Sequence, residues 1–127
     1  MLKNKIIKDI HKLVFSNFTY ITDKKQYNNI EKWVQPASDY DGTTSFKGDC
    51  EDFALACRKL LRDANIESRL VYCTVENGEG HLVLSVDGWI LDNRFRAIKT
   101  NSYLVKHGYT FIKISGLNSG DPWHKLN

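Results

Sequence analysis

Cys50, His81 and Asp92 together make a nucleophile, a proton shuttle and an orienting carboxylate. Thiol catalysis needs that set: a sulfur anion to attack, a base to move protons, and a group that holds the base in one orientation. Cys50 opens the clearest helical pattern in the chain, residues 49–65, where Cys50, Phe53, Ala54, Cys57, Leu61 and Ala64 share a face. Unpaired N–H groups at a helix start and the positive end of its dipole favour an anion there. The same groups can donate to the oxyanion of a tetrahedral intermediate. Gly48, just upstream, has no side chain to obstruct a substrate backbone.

Strand register tests whether His81 and Asp92 can meet. Asp87-Gly88 is a two-residue hairpin signal, which sets Val86 opposite Trp89, Asp92 opposite Val83 and His81 opposite Arg94. His81, Val83, Ile90, Asp92 and Arg94 then share one face, and Leu82, Leu84, Val86, Trp89 and Leu91 the other. His81 and Asp92 become diagonal neighbours roughly 7–8 Å apart at the backbone, close enough for an imidazole and a carboxylate to bond. A slip of one residue would send them to opposite faces. The face carrying His81 is expected to receive the Cys50 helix.

The elements that must position these residues follow from periodicity. Ile6, Ile7, Ile10, Leu13 and Val14 mark a helix over about 4–15. Thr22 or Asp23 can cap a second helix over about 24–34, which stops before Pro36. Residues 37–48 read as a polar loop. Strands are expected at 68–75, 81–86, 89–93 and 109–114, with a turn at Asn77-Gly78-Glu79-Gly80. Helices first and an antiparallel sheet afterwards make an α+β chain, expected to be a single domain over residues 1–127.

Other reactive or aromatic residues have plainer readings. Cys57 and Cys73 are expected in the core, and His11, His107 and His124 on the surface. Trp33 reads as core, with an indole N–H near an oxyanion as its functional alternative. Trp123 and His124 are expected to pack back on the domain rather than line a cleft.

Three sequence blocks together resemble the bacterial transglutaminase-like cysteine peptidases: Gly48-Asp49-Cys50-Glu51-Asp52-Phe53-Ala54-Leu55-Ala56, Gly80-His81-Leu82-Val83-Leu84 and Leu91-Asp92-Asn93-Arg94. Upstream, Asn17, Tyr20, Asp23, Trp33 and Pro36 look like the family's lead-in, so the likeness spans about residues 15–95. It implies a papain/transglutaminase-like fold, with the nucleophile helix packed on an antiparallel sheet, and amide hydrolysis through a thioester. Carried over, Cys50 is the nucleophile, His81 the general base and acid, and Asp92 the orienting carboxylate. The family's periplasmic members release surface adhesins and bind calcium close to the nucleophile, and Asp49 and Glu51 match that acidic pair. The same acids can simply stabilise the helix dipole, although their charge opposes a thiolate. Unlike those members, this chain shows no export signal and is trimmed nearly to the catalytic core.

Composition excludes several classes. The net charge of +3 comes from 18 Lys and Arg against 15 Asp and Glu, spread without a basic run, so no nucleic-acid groove is expected. No stretch approaches the roughly 20 apolar residues of a membrane span, and the basic start lacks a signal-peptide core. Three cysteines without a C-x-x-C pair fit free thiols in a reducing compartment. The expectation is a cytoplasmic monomer acting on a protein or peptide. Its richness in Lys, Asn and Ile fits an AT-rich genome and a phage origin, with virion association as a corollary. The rival activities are acyl transfer to an amine and binding without catalysis on the same fold.

Overall fold

The computed structural model describes residues 2–21, 40–118 and 120–126. The N-terminal apolar stripe winds into α1 (Leu2–Asn17), which buries Ile7, Ile10 and Val14. His11 lies on the same buried face at 1% exposure, which corrects its surface assignment. Its Nε2 meets the Phe95 carbonyl at 2.7 Å, and its ring packs edge-on against Phe53.

β1 (Phe18–Tyr20) runs parallel to β2 (Phe46–Gly48), pairing Phe18 with Phe46 and Tyr20 with Gly48. The expected 37–48 loop is therefore wrong at its end, because three residues are too few to show alternation. Phe18 packs against both Phe46 and Phe53, with ring centroids 5.2 Å apart in each pair, which ties this small sheet to the next helix. The expected second helix, with Trp33 and Pro36, lies outside the described residues.

α2 (Cys50–Asp63) begins where Asp49 caps it. Beyond its C-cap Ala64, Asn65 takes a left-handed φ of 62°, and the Ile66 N–H returns to the Leu61 carbonyl at 2.8 Å. Six antiparallel strands follow: β3 (Arg69–Thr74), β4 (Gly80–Val86), β5 (Trp89–Leu91), β6 (Lys99–Thr100), β7 (Thr110–Ile114) and β8 (His124–Lys125), with the short α3 (Asn101–Lys106) before β7. Their spatial order is β6-β5-β4-β3-β7-β8. Asp87 and Gly88 both have positive φ, as a two-residue hairpin turn of this kind requires, and Val86 pairs with Trp89 as expected.

The sheet separates two cores. On one side, Phe53, Ala54, Cys57 and Leu61 of α2 join Ile7, Ile10 and Val14 of α1 over Leu84, Val86 and Leu91. On the other, Val71, Cys73, Val75, Val83 and Ile90 pack with Leu104 of α3 and with Tyr109. α2 therefore covers the face opposite His81 and Asp92, which corrects the expectation that it packs on theirs. The face carrying His81 is filled instead by Leu104 of α3 and by Tyr109, which leaves the face of Leu70, Leu82, Leu84, Val86 and Leu91 for α2. Among the described residues, no helix is long and apolar enough to cross a membrane.

Candidate active site

Cys50 is the first residue of α2, and the chain fixes that helix start with side chains. Asp49 Oδ1 accepts from the N–H groups of Glu51 and Asp52 at 3.0 and 3.2 Å, and Asp52 Oδ2 accepts from the Asp49 N–H at 3.0 Å. This reciprocal box explains Gly48, because a Cβ there would strike the Asp52 side chain. Gly48 is buried, so its lack of a side chain serves this internal approach rather than a substrate's. Burial, together with the charges of Asp49 and Glu51, pushes Asp52 up to about 6 against the pull of the Asp49 N–H.

His81 is the second residue of β4, at the end of the sheet, where it meets the start of α2. Its Nε2 lies 2.7 Å from Asp92 Oδ1, which leaves Nδ1 as the ring nitrogen available to Cys50, its neighbour in the same cleft. Asp92 follows β5 directly and is 1% exposed. Its Oδ1 also accepts from the Arg94 N–H at 2.9 Å and so closes the turn that follows. Burial by itself would lower His81, but the bonds and charges of Asp92 and Cys50 reverse that and hold the imidazolium up to about 9. Burial pulls Asp92 the other way, yet the bond and charge of His81, helped by Tyr109 and the Arg94 N–H, hold its carboxyl below the usual range. An ionised carboxylate facing a protonated imidazole is the charge state these contacts favour.

Tyr109 completes the network, and sequence reasoning gave it no role. Its hydroxyl donates to Asp92 Oδ2 at 2.5 Å and accepts from Arg94 Nη1 at 3.0 Å, while Arg94 is held by Glu76 through two bonds of 2.8 and 2.7 Å. Burial and the neighbouring carboxylate push the phenol's pKa upward, so it stays a neutral donor. The missing signal was register: β3 and β7 are far apart in sequence, and a bulge at Tyr72/Cys73 shifts their pairing. Tyr109→Phe is expected to leave one Asp92 oxygen a donor short, costing about 1–3 kcal/mol of stability. A thermal melt, with roughly tenfold lower turnover, checks this.

The other cysteines are inert by position. Burial pushes Cys73 up to about 12 and Cys57 higher, as befits core thiols, whereas Cys50 is half-buried. Cys50, His81, Asp49, Glu51, Tyr72, Gly80 and Leu82 line an open cleft of about 330 Å³.

The sequence profile of the bacterial transglutaminase-like cysteine proteinases matches residues 2–127. The chain belongs to that family. Its enzyme class is accordingly cysteine peptidase. Solved structures of Legionella pneumophila LapG share the α+β fold: one superposes with a TM-score of 0.68 at 20% identity, covering 98% of this chain and 69% of that one. An EGTA-treated form gives 0.68 at 20% identity, covering 98% and 67%. A calcium-bound form gives 0.65 at 21%, covering 97% and 69%. No curated protein matches the sequence.

For calcium, the relevant pair is Asp49 and Glu51. Both line the cleft and carry the hard oxygen donors that calcium takes, six to eight at a time. They can supply part of such a shell, since Asp49 Oδ1 already serves two N–H groups. No group of three or more His, Cys, Asp or Glu side chains able to hold a metal occurs among the described residues. Trp33, the indole candidate, lies outside them.

Proposed function

We propose that this peptidase cleaves an amide bond of a protein or peptide substrate through a thioester on Cys50, with His81 and Asp92 completing a catalytic triad. The thiolate sulfur attacks the carbonyl carbon, and the C=O electron pair moves onto oxygen. As that oxyanion collapses, the C–N bond breaks and the His81 imidazolium gives its proton to the leaving amine. Neutral His81 then takes a proton from water, whose oxygen attacks the thioester. Collapse releases the acid and returns the sulfur as thiolate beside a recharged imidazolium.

The oxyanion donor is narrowed by the cap. The N–H groups of Glu51 and Asp52 are engaged by the Asp49 carboxylate and that of Phe53 by the Asp49 carbonyl. The Cys50 N–H has no such partner among the described residues, and it is the first-turn donor left for the oxyanion. The observation that carries the reading is the imidazole bonded to Asp92 at 2.7 Å and opening, with Cys50, onto one cleft. A relic kept only for binding has no need of that arrangement, and this favours hydrolysis over a binding module. Calcium, where bound, would sit on Asp49 and Glu51 and offset their negative charge beside the sulfur; no step above depends on it.

Alkylation tests the reading at the thiol. Iodoacetamide at neutral pH is expected to add once, at Cys50, because Cys57 and Cys73 are fully buried. His81→Ala is expected to slow that addition roughly tenfold or more, since an opposite charge within hydrogen-bond reach favours the ionised partner. Equal rates in the two proteins, read by mass spectrometry, would remove His81 from the mechanism. Peptide turnover with and without an amine acceptor separates hydrolysis from acyl transfer.

A further inference from the structure

The cleft at Cys50 continues into a second cavity of about 500 Å³, lined by Tyr72, Leu82, Lys113 and Trp123, with Tyr72 and Leu82 common to both. Sheet pairing explains the continuity. Leu82 lies opposite Tyr72, and Tyr72 opposite Lys113, so the three side chains project in a row from one face across β4, β3 and β7. With strands about 4.8 Å apart, Lys113 stands about 10 Å from Leu82, the reach of roughly three extended residues. The Tyr72 hydroxyl rests where a side chain on residue 80 would be, so the glycine lets the phenol lie beside the active site.

The chemistry along this row is graded. Tyr72 is 37% and Trp123 42% exposed, large aromatic surface left in water and continuous with the nucleophile. This also corrects the expectation that Trp123 packs away. Lys113 is exposed and makes no ion pair with the described residues. We propose that this groove selects the substrate: Tyr72, Leu82 and Trp123 hold a large apolar side chain within about two residues of the scissile bond, and Lys113 holds an acidic one just beyond. The occupant is thus an extended apolar–acidic peptide, and its status as substrate rests on the hydrolytic reading above.

Binding and turnover test the two separately. Fluorescein-labelled octapeptides, with Phe or Ser at one position and Glu, Gln or Lys two or three residues further on, are titrated into the Cys50→Ala protein. The Phe/Glu peptides are expected to bind roughly tenfold or more tightly than the Ser/Gln peptides. Trp123→Ala is expected to erase the Phe advantage, and Lys113→Glu, an exposed change that leaves the fold intact, to reverse the order of Glu over Lys. Equal binding of all peptides, or an order that neither substitution moves, overturns the groove. Ordered binding without cleavage of any peptide by the unsubstituted protein supports the groove and sinks the hydrolytic reading. Cleavage indifferent to both positions sinks the groove alone.

Discussion

Cys50→Ala is expected to lower kcat/KM by about 10⁵–10⁶-fold, the scale on which losing the nucleophile of a triad protease acts. No neighbouring thiol can substitute, because Cys57 and Cys73 are sealed in the two cores. The fold is expected to survive. Residue 50 occupies the first helical position, alanine is a strong helix former, and the capping bonds run between Asp49, Glu51 and Asp52 rather than through the sulfur. Peptide turnover beside circular dichroism and a thermal melt checks both halves. A folded variant that retained turnover would end the case for a thioester.

Asp92→Asn is expected to cost about 10³–10⁴-fold in kcat/KM at neutral pH. The carboxylate accepts on both oxygens, from His81 and the Arg94 N–H on Oδ1 and from Tyr109 on Oδ2. An asparagine has one acceptor and one donor end, so whichever way it turns, its NH₂ faces a donor. Removing the charge also removes part of what holds the imidazolium up to about 9. In the proposed mechanism the imidazolium protonates the leaving amine, so the unsubstituted enzyme is expected to lose activity on an alkaline limb near pH 9. In the variant that limb moves down towards 6.5.

Stability follows the same sign. A histidine whose folded pKa lies above its unfolded value contributes stability fully present below about 6.5 and lost as pH rises through about 9. The contribution from His81 and Asp92 should therefore fade across that window in the unsubstituted protein and be largely missing in the variant. Profiles of kcat/KM and melting temperature against pH read both effects. An alkaline limb unmoved by Asp92→Asn would show that this carboxylate does not set the histidine's charge.

The sheet's hairpin was legible because it is local. Asp87-Gly88 dictates its turn, the turn dictates the register, and the register places His81 diagonally from Asp92 before any coordinates exist. The α2 stripe is local too. Family membership likewise came from short contiguous blocks. What failed depended on partners distant in the chain. The β1–β2 pairing joins residues 28 positions apart, Phe18 to Phe46. His11 is buried because α1 happens to lay that ring against Phe53.

By itself, the sequence determined the helix that presents the sulfur, the hairpin that joins imidazole to carboxylate, and the family to which they belong. All three follow from patterns repeated within about a dozen residues, which backbone geometry converts directly into faces and turns. Only the tertiary structure decided which side of the sheet α2 covers, that Tyr109 and Arg94 brace Asp92, and that Trp123 borders a groove running from Cys50. Those outcomes depend on which apolar surfaces bury one another most completely across long stretches of chain, and no local period encodes that choice.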